Sequence, residues 1–300
     1  MRDFRRRKPN SVKALEARHG PHHHGAMTSP TARPLPASLV SAHAERARSF
    51  NSAAAVYAAA RPSYPPALFD AVEELTGRPL TGARVVDVGA GTGISTTRLR
   101  ARGARVVAVE PGDGMAAEFR RALPDAALVR GDGNRLPLAS ATADLITYAQ
   151  SWHWTDPAHA HPEAMRVLRP GGALALWWNT DAQDVPWIAE QADRVRRHFG
   201  DDRANKSGGG TRTLDADKLF AGAPFPPAPE RIARRVIRWS RRIPLDTHLA
   251  NIASHSLFIV HGEESTRAFL TQERSHLQEV FPDGLVEEVY DVLLLVVTAR

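Results

Sequence analysis

The run Val85-Val86-Asp87-Val88-Gly89-Ala90-Gly91-Thr92-Gly93 constrains this 300-residue chain more than any other. Branched apolar residues lead into three alternating glycines, and a helix-compatible segment follows from Ile94. Alternating glycines let the backbone turn sharply and leave no side chain in front of a ligand. The first turn of the next helix then offers unpaired N–H groups and the positive end of its dipole to an anionic group. Such a strand, turn and helix is a nucleotide-type binding signal.

The spacing separates the candidates. A dinucleotide fingerprint beginning at Gly89 and Gly91 needs glycine or alanine at position 94, where this chain has Ile94. The pattern here is acidic-x-Gly-x-Gly-x-Gly, with Asp87 inside the strand end. A second strand over 104–109 ends on Glu110, where a carboxylate can accept both hydroxyl hydrogens of a ribose. A third segment, Leu128-Val129-Arg130-Gly131-Asp132-Gly133, places a carboxylate for an adenine amino group and an N–H for a ring nitrogen. Each of these has a plainer reading, a surface glutamate or an Asp-Gly turn. Their ordered spacing with a fourth strand over 144–149 favours the nucleoside site.

The acidic-glycine motif resembles motif I of class I S-adenosylmethionine (SAM) methyltransferases. Residues 50–154 as a whole resemble the small-molecule SAM methyltransferases of the trans-aconitate methyltransferase-like branch. The lead-in Tyr57-x-x-x-Arg61-Pro62-x-Tyr64-Pro65 carries that likeness, as does Ala149-Gln150-Ser151-Trp152-His153-Trp154. Trp152 departs from it, standing where the branch has Phe or a similar residue. The likeness continues more weakly through Arg169-Pro170-Gly171-Gly172 and the tail. It implies SAM as cofactor, lined by Asp87, Gly89, Ala90, Gly91, Glu110, Asp132, Gly133 and Gln150. It also implies methyl transfer to a small-molecule acceptor, through a carboxylate or hydroxyl oxygen.

Ligands in open parallel sheets bind beyond the carboxyl ends of the strands, so residues 150–154 fall beside the transferring methyl. Trp152 and Trp154 are candidates for an aromatic wall, with core packing as the alternative for one of them. His153 has three open readings: general base, hydrogen-bond partner of a substrate carboxylate, or loop-orienting residue. Tyr57 and Arg61 share a helix face, and Pro62 predicts that this helix ends at Arg61. Arg61 there either grips a carboxylate of cofactor or substrate, or ties the lead-in to the domain. Tyr57 and Tyr64 accompany it as candidate substrate contacts.

Composition agrees with an α/β enzyme. The apolar fraction is 43% and the charged fraction 24%, both ordinary for a globular protein. No apolar run approaches the roughly 20 residues of a membrane span. The chain has no cysteine, which points to a cytoplasmic location. Residues 1–26 carry most of the net +6 charge and read as a disordered basic leader, with 27–47 as a linker. Within that leader, His22-His23-His24 reads as a solvated tract, with no metal site implied. Base-modifying enzymes place Asp or Asn, two prolines and an aromatic after strand four. Here the chain reads Gln150-Ser151-Trp152-His153, so no nucleic-acid acceptor is expected.

The expected fold is a doubly wound, seven-stranded, mostly parallel Rossmann-like sheet over 48–300, with 183–231 as a partial lid. The fifth strand falls at 173–178 after a turn, and the sixth and seventh at 232–243 and 287–298. An NAD(P)-dependent oxidoreductase, or a SAM- or nucleic-acid-binding protein without turnover, remain the alternatives. The oligomeric state is not legible.

Overall fold

The computed structural model describes residues 60–200, 214–228 and 231–299. Seven strands form one sheet in the order β3-β2-β1-β4-β5-β7-β6. They are β1 (Arg84–Val88), β2 (Arg105–Glu110), β3 (Ala127–Arg130), β4 (Ala143–Ala149), β5 (Leu168–Asp181), β6 (Ile232–Pro244) and β7 (Leu285–Thr298). The first five run parallel, while β7 is antiparallel to both β5 and β6. Parallel strands covered on both faces read as continuous apolar runs, and β1 is buried at every position after Arg84.

Alternation along the strands divides the core into two layers. On one face Val86, Ile146, Tyr148, Leu174, Leu176 and Trp178 pack against α4 (Pro157–Val167). On the other, Val85, Leu145, Ala175 and Trp177 meet Leu68, Phe69 and Val72 of α1 (Pro66–Thr76). Helices α2 (Ile94–Ala101) and α3 (Asp113–Ala122) complete the crossovers around β2. The parallel strands therefore all finish on one edge of the sheet.

The carboxyl edge carries a further helical layer. It comprises α5 (Pro186–Phe199) after β5, and α7 (Leu245–Ala253), α8 (Ser256–His261) and α9 (Glu263–Val280) between β6 and β7. Their apolar faces meet around Phe199, Leu249, Phe258, Phe269 and Leu277. A short helix, α6 (Ala216–Leu219), instead packs with Phe220 into the core beside Trp152. Most of the helical layer thus comes from 245–280, beyond the segment that the sequence singles out as a lid. The leader, the linker, Tyr57 and the Gly208-Gly209-Gly210 run lie outside the described residues.

One expected break is absent. Arg169-Pro170-Gly171-Gly172 does not precede β5 as a turn but lies within it. Pairing with β4 jumps from Ala143↔Leu168 to Leu145↔Ala173, so the extra residues are absorbed as a bulge. Gly171 takes φ +71°, and a Cβ on Gly172 would sit 3.0 Å from the Arg169 carbonyl oxygen.

Trp177 is fully buried, with Tyr64 and Phe69 edge-on at 6.0 and 6.1 Å. Trp177→Ala is expected to cost about 3–5 kcal/mol through lost burial and a residual cavity, read by urea denaturation. A loss below about 1 kcal/mol would show that the layer does not depend on this contact.

Candidate functional site

Four consecutive strand ends meet at the carboxyl edge. Beneath the first loop, Asp87 is fully buried and accepts three hydroxyl hydrogen bonds. Thr147 donates to Oδ1 at 2.8 Å, Thr96 to Oδ2 at 2.7 Å and Ser95 to Oδ1 at 3.3 Å. Burial pushes this carboxyl above the ordinary range, while the hydroxyls pull it back. Asp87 therefore holds the glycine loop from below and ties α2 to β1 and β4.

The loop leaves β1 with its glycines in the left-handed region, Gly89 at φ +66° and Gly91 at +58°. A Cβ on Gly89 would stand 2.5 Å from Ser151 Cβ, so that position is closed to any side chain. At Gly91 a Cβ would meet nothing within 4 Å, leaving open space on the ligand side. Ala90 turns its methyl inward against Ala108 and Phe119, so its backbone is what it offers. Thr92 was not singled out by its sequence context, yet its Oγ1 is buried with no hydrogen-bond partner among the described residues. Such orphaned hydroxyls are rare in folded proteins, and a polar ligand would satisfy this one.

Glu110 closes the cradle from β2. The Gly91 N–H donates to Oε2 at 2.9 Å and the Gly112 N–H to Oε1 at 2.7 Å. A carboxylate has about four lone-pair sites, so each oxygen can still accept a hydroxyl. Burial raises its pKa, opposed by those two N–H groups and by Arg130. After β3, Asp132 is exposed and accepts from the Asn134 N–H at 2.9 Å. Gly133 is buried, and a Cβ there would meet Thr155 Cγ2 at 2.9 Å; the Tyr148 hydroxyl donates to its carbonyl at 3.2 Å. Together these residues fit a nucleoside-bearing ligand: acceptors for ribose and for an adenine amino group, around an open glycine.

The segment after β4 begins in strain. Gln150 holds φ +58°, a region that costs a non-glycine residue about 1–3 kcal/mol. It is kept there by its N–H donating to the Trp177 carbonyl at 2.9 Å and its Nε2 donating to the Asn179 carbonyl at 3.3 Å. This turn carries Ser151 across the glycine loop, where its hydroxyl donates to the Val88 carbonyl at 2.6 Å. Trp152 is corrected from the expected acceptor wall to core. It is 2% exposed, its indole N–H donates to the Leu219 carbonyl at 2.8 Å, and Tyr148 and Phe220 pack edge-on against it. His153 is exposed and its ring lies 4.9 Å from that of the half-buried Trp154.

The lead-in is fastened at several points. Ala60 is helical and the helix stops at Arg61, as Pro62 demands. Arg61 Nη2 donates to the Ser254 carbonyl at 3.3 Å, Arg98 Nε to Ser63 Oγ at 2.8 Å, and Asn179 Nδ2 to the Ser63 carbonyl at 3.1 Å. Tyr64 is corrected from substrate contact to core, since it is 6% exposed against Trp177. Beside the lead-in runs a buried polar chain that no local motif announces. His248 Nδ1 donates to Glu288 at 2.6 Å, Arg241 Nε donates to the other Glu288 oxygen at 2.6 Å, and Gln191 bridges His248 and Glu273, each at 2.9 Å.

Comparison with known proteins gives this geometry a context. Residues 86–176 match the methyltransferase domain family model. An uncharacterized methyltransferase of Mycobacterium tuberculosis is 46% identical over 149 residues, covering 50% of this chain and 59% of that protein. A demethylmenaquinone methyltransferase of Beutenbergia cavernae is 38% identical over 122 residues, covering 40% of this chain and 49% of that protein. The chain thus spans only about half the length of these curated relatives. A candidate Type II methyltransferase structure from Anaeromyxobacter dehalogenans aligns with TM-score 0.59 at 22% identity, over 79% of this chain and 97% of that one. The fold is that of class I methyltransferases, and the domain signature spans β1 to β5. No helix among the described residues is long and apolar enough to cross a membrane.

Glu288 supplies a pH dependence. Burial raises its pKa, but the His248 hydrogen bond and charge, Tyr290 and Arg241 outweigh that and hold it at about 2. A depressed carboxyl stabilises the fold fully above its ordinary value and loses that contribution as the pH falls. The melting-temperature deficit of Glu288→Gln should therefore be full above about pH 4.5 and shrink towards pH 2. A deficit independent of pH would contradict this ion-pair role.

Proposed function

We propose that this protein is a SAM-dependent methyltransferase acting on a small-molecule acceptor. The observation that carries the reading is Glu110, whose two oxygens each hold one backbone N–H of the cradle while keeping capacity for ribose hydroxyls. The open face of Gly91, the unpartnered Thr92 hydroxyl and the acceptor Asp132 support the same ligand. Ile94 at the start of α2 argues against a dinucleotide.

Bound SAM supplies an electrophilic methyl on a positively charged sulfur. Held by the cradle, SAM would give that methyl to the acceptor atom, its sulfur keeping the bonding pair and leaving as the neutral thioether. A hydroxyl acceptor also gives up a proton to a base or to water, whereas a carboxylate has none to lose. The protein's task is chiefly alignment, which can contribute about 7–11 kcal/mol. Residues 150–154, beside the cradle, are where an acceptor would be aligned, with Trp154 and His153 as its nearest side-chain candidates. The lead-in and the Ala149–Trp154 run keep the trans-aconitate methyltransferase-like branch as the preferred subclass, with a carboxylate or hydroxyl oxygen as acceptor. The arginines of β6 do not favour a nucleic-acid partner, because Arg235, Arg238 and Arg242 pair with Glu74, Asp184 and Asp283.

Calorimetric titration should show binding of SAM and S-adenosylhomocysteine and none of NAD or NADP. Glu110→Gln should weaken S-adenosylhomocysteine by about 10–100-fold, the worth of a hydrogen bond to a charged group. Binding of NAD without S-adenosylhomocysteine would overturn the reading. Should His153 serve as base, His153→Ala would cut kcat by about 10²–10⁴ at unchanged S-adenosylhomocysteine affinity. Full activity with unchanged KM would remove His153 from the mechanism.

A further inference from the structure

β5 outruns its neighbour. Ala149, the last residue of β4, lies opposite Trp177, and β5 continues to Asp181. Alternation places Trp177, Asn179 and Asp181 on one face, the face on which Trp177 meets Tyr64 and Asn179 meets Ser63. On the adjoining strand Asp181 is paired with Tyr290, and Glu288 stands two residues away on the same face. Above them α7 sets His248 and Asn251, whose Nδ2 donates to Glu288 Oε1 and to the Tyr290 hydroxyl, each at 3.0 Å.

Asp181 is nevertheless solvent-exposed, although surrounding protein is dense enough for burial to raise its pKa, with His248 and Arg61 drawing it down and Glu288 pushing it up. Because it is accessible yet stands on the face that α7 covers, paired with Tyr290 and beside Glu288, its carboxylate lines a recess beneath α7. The recess adjoins the cofactor cradle, since Gln150 donates to the carbonyl of Asn179, two residues before Asp181. Asn251 Oδ1 lies buried nearby and accepts no hydrogen bond among the described residues, so its partial charge adds to the negative potential. The neighbouring cations are engaged: Arg241 with Glu288 at 2.6 Å, and Arg61 Nη2 with the Ser254 carbonyl at 3.3 Å.

We propose that Asp181 is the specificity-determining residue for the acceptor, admitting a molecule that presents a protonated amine or a hydroxyl and turning away one that presents a carboxylate. The inference rests on the methyltransferase reading above: of its two acceptor oxygens it keeps the hydroxyl and sets the carboxylate aside, and an ammonium serves as a recognition group and not as the methyl acceptor. An ammonium or hydroxyl donates to the Asp181 carboxylate. A carboxylate there would meet the Asp181 carboxylate as a like charge, a repulsion that suppresses the wrong partner.

The test titrates benzylamine, benzyl alcohol and sodium benzoate, with and without saturating S-adenosylhomocysteine. Amine and alcohol should bind at least about tenfold more tightly than benzoate. Asp181→Asn should bring the three within about twofold of one another, with S-adenosylhomocysteine affinity unchanged. Its melting temperature should hold, because the substitution changes one atom of a solvent-exposed side chain. Benzoate binding as well as the amine, no binding of amine and alcohol, or a preference that survives Asp181→Asn would each overturn the proposal. If S-adenosylhomocysteine fails to bind while the amine preference persists and vanishes in Asp181→Asn, the methyltransferase reading falls and the Asp181 recess stands.

Discussion

The buried carboxylate of Asp87 is the fixed point of this molecule. A charge taken out of water is costly unless it is fully hydrogen-bonded, and three hydroxyls from α2 and β4 supply that bonding. The same three contacts decide where α2 begins relative to β1 and β4, and therefore which path the glycine loop can follow between them. Ser151 then closes over Gly89, so the roof of the loop is set by the segment after β4 and its floor by Asp87. Loop geometry and sheet register are in this way one constraint.

Polarity of the sheet does the rest. Five parallel strands bring Gly89, Glu110, Asp132 and Gln150 to the same edge from widely separated parts of the chain. β6 runs in the same direction as β5, returns the chain to that edge and leaves α7 to α9 there before the reversed β7 runs back. The cradle and the polar recess thus have separate origins. The first is made by loops of the parallel half, the second by the antiparallel half and its helices.

The difference in origin explains what could be read beforehand. The glycine loop, Glu110 and Asp132 each stand at their own strand end, and it is their ordered spacing along the chain that makes them legible together. The number of strands and their mostly parallel run followed from the alternation of strands and helices, whereas their order in the sheet is seen only in the structure. β5 was read too short because Pro170-Gly171-Gly172 carries turn chemistry that here serves a bulge. Trp152 and Tyr64 were misplaced because burial is set by distant partners, Phe220 for one and Trp177 for the other. His248 and Glu288, forty residues apart, meet only once β7 is laid beside β6. Asp181 carries no motif at all, being one acidic residue at a strand end whose length was itself not foreseen.

Asn179 shows how narrowly such a junction limits substitution. Its Nδ2 donates to the Ser63 carbonyl, its Oδ1 accepts from the Trp239 indole at 3.0 Å, and its backbone carbonyl receives Gln150. Aspartate would keep the indole but face the Ser63 carbonyl with a second acceptor, and leucine would strand both. Glutamine has the right groups on a stem one carbon too long. The position is a chemical lock that accepts a primary amide of a single length, and three segments of the chain share it.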